Sequence, residues 1–116
     1  MLRIVVLNPK GGSGKTTVAV NLASYYAVRE QRPVLMDHDP QGSSIRWFRK
    51  RGPGAYRMDG VAACERDART TRTFRLRVPA GASRVIVDTP AAIHPHDLPD
   101  YTRDPHKIIV PVLPSD

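Results

Sequence analysis

The chain is poor in cysteine, in long apolar runs and, over one stretch, in acidic residues. Its one cysteine, Cys64, can close no internal disulfide, which points to a reducing, cytoplasmic setting. The longest apolar run near the start is Ile4-Val5-Val6-Leu7. That is shorter than a secretory core and far short of the ~20 residues of a membrane span, so the chain reads as soluble. There is no internal repeat, no low-complexity tract and no linker, and 116 residues suit one compact domain. Residues 44–84 hold eleven Lys/Arg (Arg46, Arg49, Lys50, Arg51, Arg57, Arg66, Arg69, Arg72, Arg75, Arg77, Arg84) against three acids (Asp59, Glu65, Asp67). The net charge of +7 is therefore concentrated there. Such a stretch is either a polyanion-facing surface or a solvated, arginine-rich face.

Three short apolar runs stand out. Ile4 to Leu7 runs into Asn8-Pro9, Val34-Leu35-Met36 delivers Asp37, and Val85-Ile86-Val87 delivers Asp88. Apolar runs without alternation suit parallel strands covered on both faces. From Thr16 the pattern turns helical, with Val18, Leu22 and Tyr25 in one row and Ala19, Ala23 and Tyr26 beside it. This helix is expected to reach Arg29 or Glu30 and stop before Pro33. A short helix is expected from Gly42 to about Arg51, carrying Ile45, Trp47 and Phe48 and broken by Gly52-Pro53-Gly54. Residues 57–61 suggest a strand, 65–72 a weak helix and 97–103 a short helical segment. A last strand over 108–113 contains Pro111, which favours a strand end or a sheet edge. Strands alternating with helices predict an α/β fold, a parallel sheet of about five strands flanked by helices.

Lys10-Gly11-Gly12-Ser13-Gly14-Lys15-Thr16-Thr17 sits between the first strand and the first helix, the context a phosphate-binding loop requires. Its glycines let successive N–H groups converge on phosphate oxygens, and the helix dipole adds to the attraction. Lys15 offers a point charge for the β- and γ-phosphates, and the Thr16 hydroxyl a ligand for magnesium.

The strict phosphate-loop pattern asks for glycine where this chain has Pro9, and Lys10 stands directly ahead of the glycines. With that lysine the block from Asn8 to Thr17 resembles the deviant Walker A motif of the ParA/MinD family, on its ParA side. Asp37-His38-Asp39-Pro40-Gln41-Gly42-Ser43 resembles the family's second acidic motif and first switch. Val85-Ile86-Val87-Asp88-Thr89-Pro90 resembles its Walker B strand and second switch. The resemblance implies a P-loop NTPase fold, with residues 1–116 as the amino-terminal part of a ParA-type nucleotide-binding domain that stops after about five strands. It implies ATP and Mg2+ as cofactors. Residues Lys10 to Thr17 would bind the nucleotide, and Lys10 would reach the partner's phosphates across a homodimeric nucleotide sandwich. Asp39 would position or activate the attacking water, and Thr16, Asp37 and Asp88 would hold magnesium. Lys10, Lys15 and Asp39 are thus the expected catalytic set. An aspartate after a strand also serves as a turn former or helix cap.

The implied function is ATP-dependent partition of a plasmid or chromosome, in the cytoplasm and on the nucleoid. The implied partners are nonspecific DNA and a centromere-binding protein that stimulates hydrolysis. Two other readings stand beside it: a truncated nucleotide-binding remnant without turnover, and a MinD-like cell-division regulator. The second needs a carboxy-terminal amphipathic helix, and none is seen in these residues. Ala91-Ala92 depart mildly from the small or glycine residue common after the Walker B proline. Family members run for about as many residues again, so an apolar last strand is expected to leave a sheet edge prone to association. His94-Pro95-His96 and His106 lack the acidic or cysteine partners of a metal site and read as loop histidines. Cys64 cannot build the four-thiolate cluster of the related nitrogenase iron proteins. Trp47 among Arg46, Arg49, Lys50 and Arg51 either touches nucleic acid or packs on its own core.

Overall fold

The computed structural model describes residues 2–7, 14–63, 81–91, 93–102 and 107–112. Its elements are β1 (Leu2–Val6), α1 (Lys15–Val28), β2 (Pro33–Asp37), α2 (Ser43–Arg49), β3 (Asp59–Ala62), β4 (Arg84–Asp88), α3 (Leu98–Thr102) and β5 (Lys107–Ile109). The five strands form one parallel sheet in the order β3-β2-β4-β1-β5. The expected α/β architecture is therefore present.

β2 is buried at every position, and β1 and β4 are buried over their last residues. Alternate side chains serve two cores, as the two-residue period of a strand requires. Val5, Val34, Met36, Val85 and Val87 point to one face, where Tyr101 of α3 packs. Val6, Leu35 and Ile86 point to the other, where α1 and α2 pack.

The helix row differs from the sequence reading. Ala19, Ala23 and Ala27 face the sheet and are buried, Val18 and Leu22 flank them half-buried, and Tyr25 lies outside under the Arg29 guanidinium. Alanine carries no bulk beyond Cβ, so an alanine stripe lets the helix backbone lie close to the sheet. Larger side chains then fill the wedges on either side.

α1 ends where Glu30 adopts a left-handed conformation, φ 58°. The amide of Gln31 donates to Tyr26 O at 3.0 Å and that of Glu30 to Ala27 O at 2.9 Å, satisfying carbonyls of the last turn. β3 runs slightly later than expected, at Asp59–Ala62, and its Gly60 lies directly under the Phe48 ring. β5 stops at Ile109, two residues before Pro111, and is an edge strand among the described residues. The weak helix expected over 65–72 lies outside the described residues.

Candidate functional site

The topology sets the site. β4 lies between β1 and β2, so the strand leading to the glycine loop and the strand bearing Asp37 both end beside Asp88. In register Asp88 faces Val6 on one side and Asp37 on the other. Ligands in open α/β sheets collect at this carboxyl edge, where neighbouring connections part.

Gly14 opens α1 with φ 85°, a left-handed conformation that glycine takes without a side-chain penalty. Among the described residues nothing but its adjoining chain neighbours crowds the place where its Cβ would stand, so the backbone angle and not space calls for glycine. Lys10, Gly11, Gly12 and Ser13 lie outside the described residues. Lys15, in the first turn of α1, is buried and its ammonium pairs with Asp88 Oδ1. The same nitrogen lies 3.5 Å from Asp39 Oδ2. The Thr16 hydroxyl donates to Asp88 Oδ2 at 3.2 Å. Thr17 is exposed on the helix, and its carbonyl accepts the Asn21 side-chain amide at 2.7 Å.

Asp37 is fully buried, and each carboxylate oxygen accepts a backbone amide. Oδ1 takes Asp39 N at 2.9 Å and Oδ2 takes Ile45 N at 3.0 Å. It therefore ties the loop after β2 to the first turn of α2, while Gly42 turns the chain into that helix with φ 65°. Asp39 keeps Oδ2 toward Lys15 and uses Oδ1 to accept Gln41 N at 3.0 Å. Asp39 thus looks into the space next to the lysine while held from behind.

The electrostatics are lopsided. Two carboxylates, Asp39 and Asp88, face one ammonium and a third, Asp37, lies beside Asp88, all of them buried or nearly so. Burial pushes the Asp88 carboxyl above its usual 3.8. The Lys15 hydrogen bond and charge and the nearby Ser44 hydroxyl oppose that rise, and the Asp37 charge adds to it. An excess of buried negative charge, with a hydroxyl oxygen beside it, is a chemical environment that favours a hard cation. Among the described residues no group of three or more His, Cys, Asp or Glu is arranged to hold a metal. Magnesium asks for less, since it takes one or two carboxylates and fills its remaining positions with water and phosphate.

Two contributors escaped the sequence reading. The Thr89 hydroxyl donates to Val6 O at 2.8 Å and is fully buried, tying the end of β4 to the end of β1. Ser44, buried in the first turn of α2, stands near Asp88. A threonine directly after the strand aspartate is a visible signal for the first; nothing in the spacing points to the second.

His94 and His96 stack at 4.7 Å, and the His94 ring accepts the His96 amide at 3.1 Å, the geometry of a local turn. His106 and Cys64 lie outside the described residues. Trp47 packs on the α1 side of the sheet with the Arg51 guanidinium 5.7 Å from its ring centre, so it serves its own core.

The CobQ/CobB/MinD/ParA nucleotide binding domain matches residues 4–82, a span that includes the glycine loop, Asp37 and Asp39 and stops short of Asp88. The chain is 41% identical over 112 residues to the "Maintenance of carboxysome distribution protein A" of Gloeobacter kilaueensis, covering 97% of this chain and 49% of that protein. It is 55% identical over 42 residues to the chromosome-partitioning ATPase Soj of Thermus thermophilus, covering 36% of this chain and 17% of Soj. The chromosome partitioning protein ParA of Myxococcus xanthus is 54% identical over 41 residues, covering 35% of this chain and 14% of that protein. The chain thus spans about half the length of the first of these relatives.

Proposed function

The chain belongs to the CobQ/CobB/MinD/ParA nucleotide binding domain family, on its ParA side, and from that premise we propose that it binds ATP with magnesium and hydrolyses it in a partition system. Residues 1–116 act in this reading as the amino-terminal part of a ParA-type nucleotide-binding domain. The observation that carries it is the meeting of Lys15, Thr16, Asp39 and Asp88 at the carboxyl edge of the sheet, beside a glycine turn that opens a helix.

Each residue has a role its surroundings suit. The amides of Lys10 to Thr17 and the Lys15 ammonium bind phosphate oxygens. Thr16 and Asp88 supply hard oxygens to magnesium, which when bound neutralises charge on the β- and γ-phosphates. Asp37, both oxygens engaged by amides, holds the loop that carries Asp39 and would help to hold magnesium by adding negative charge to its site. Asp39 orients the attacking water and accepts its proton while the bridging β–γ bond breaks to give ADP and phosphate. Lys10 acts from the partner chain of a nucleotide-bound dimer, like the arginine fingers worth about 10³–10⁵ in rate elsewhere. The dimer binds DNA nonspecifically, a centromere-bound protein stimulates hydrolysis, and the complex works in the cytoplasm on the nucleoid. No helix of the described residues is long and apolar enough to cross a membrane.

A second reading changes the cargo and keeps the chemistry. The relative aligned over 97% of this chain is named for carboxysome distribution, so the positioned cargo is then a protein body. Deleting the gene separates the two: plasmid or chromosome loss speaks for partition, mislocalised bodies with stable inheritance for distribution. The ATPase reading itself is tested by steady-state phosphate release with and without DNA. Turnover abolished by Lys15→Ala and by Asp39→Ala supports it. Nucleotide binding without any turnover leaves a non-catalytic remnant instead.

A further inference from the structure

At the opposite end of the sheet, where α1 ends and β2 and β3 begin, lies a cavity of about 360 Å³ lined by Ala27, Glu30, Arg32, Tyr56 and Arg57. Ala27 in its wall stands twelve residues along α1 from Lys15, about 18 Å at 1.5 Å per residue. It shares no residue with the phosphate loop.

The cavity walls are held by the fold. Glu30 and Arg32 both take positive φ, 58° and 46°, as the chain turns out of α1 and into β2. Across from them Arg51 donates to Tyr56 O, fixing the backbone that carries Tyr56 and Arg57. Tyr56 is 54% exposed. Among the described residues neither Arg32 nor Arg57 forms an ion pair. Two more guanidiniums lie close by on aromatic rings, Arg29 at 3.6 Å from the Tyr25 ring centre and Arg84 at 5.4 Å from that of Tyr26. Glu30 on the rim and Asp59 at the start of β3 are the nearby acids.

We propose that this basin binds one nucleoside phosphate unit of a single-stranded nucleic acid. Arg32 and Arg57 take the phosphate, for which the planar guanidinium fork is the best side-chain match. The Tyr56 ring stacks on the base, and base–aromatic stacking tolerates any sequence. Concavity selects the single strand: a duplex keeps its bases stacked inside and offers a convex phosphate surface, whereas a single strand can splay one base into a recess. Glu30 disfavours a carboxylate-rich peptide, and it accepts hydrogen bonds from a base amine or a sugar hydroxyl. This binding stands apart from the ATPase reading, and either can fail without the other.

The test is fluorescence anisotropy of a labelled mixed-sequence single strand on the whole 116-residue chain, with no nucleotide or magnesium present, so that neither the phosphate loop nor a nucleotide-bound dimer contributes. The strand is expected to bind more tightly than the duplex of the same sequence. Tyr56→Ala is expected to weaken binding by roughly five- to a hundredfold, the loss of one stacked base, while Tyr56→Phe retains it. Replacing Arg32 and Arg57 together by alanine lowers the salt slope by about 0.7, the share of the one phosphate they neutralise on a single strand. Tyr56 is exposed, so its removal spares the core. The proposal is overturned by no binding, by duplex or heparin binding as tightly as the strand, or by Tyr56→Ala leaving affinity unchanged. It is equally overturned if a nucleoside monophosphate displaces the strand at equal concentration, since the ligand is then a free nucleotide.

Discussion

The carboxylate of Asp37 accepts the backbone amide of Ile45, eight residues away, at 3.0 Å, and its other oxygen holds the amide of Asp39. A buried donor left without a partner costs about 1–3 kcal/mol. Asp37→Ala orphans two, so a loss of roughly 2–6 kcal/mol is expected, and Asp37→Asn, which keeps one acceptor, loses about half as much. Urea denaturation without nucleotide or magnesium measures it. If both variants unfold with the parent under those conditions, Asp37 acts through the cofactor alone and its anchoring role is wrong.

Asp88 gives a pH dependence with a definite sign. Burial raises its carboxyl above 3.8, so the folded chain holds that proton more tightly than the unfolded one. Its contribution to stability is therefore fullest below 3.8 and declines as pH rises through the folded value, levelling off above it. Asp88→Asn removes this titration. The stability of the parent minus that of the variant is expected to fall with rising pH across that window. Denaturation curves at a series of pH values check it, and a difference that grows with pH contradicts the assignment.

Much of the site is legible in the order of residues alone. The runs Val34–Met36 and Val85–Val87 each end in an aspartate, and a glycine loop opening a helix marks the phosphate end. These are local patterns, written in consecutive residues. What stays hidden is what the chain assembles at a distance. Nothing in the order of residues says that β4 inserts between β1 and β2, yet this insertion sets Asp88 beside Asp37. The periodicity of α1 fits Val18, Leu22 and Tyr25 as well as the alanines, and the closeness of the sheet selects the alanines. The Arg32–Tyr56–Arg57 basin joins segments more than twenty residues apart and leaves no motif.

The packing of Phe48 over Gly60 makes a stability prediction independent of the site. A Cβ on Gly60 would stand 2.5 Å from the Phe48 ring, so Gly60→Ala must push that ring away from the sheet. Overpacking of this kind costs about 1–3 kcal/mol. In a Phe48→Ala background the same change is expected to cost less than about 0.5 kcal/mol, because the obstacle is gone. A double-mutant cycle in urea reads the coupling. Additive effects exclude the clash as the cause.

The β5 edge carries the last prediction. Among the described residues β5 pairs with β1 on one side and with nothing on the other. Ile108, Val110 and Val112 along and just past it are 45%, 49% and 78% exposed. Unpaired amides and carbonyls beside exposed β-branched side chains form a template onto which another strand can add, and a charge placed there blocks it. The isolated 116-residue chain is expected to self-associate as its concentration rises, and Val112→Lys to shift it toward monomer without changing its unfolding midpoint. Sedimentation velocity over a concentration series decides: a parent that stays monomeric at the highest concentration, or a lysine variant that associates as readily, shows that this edge is not where chains meet.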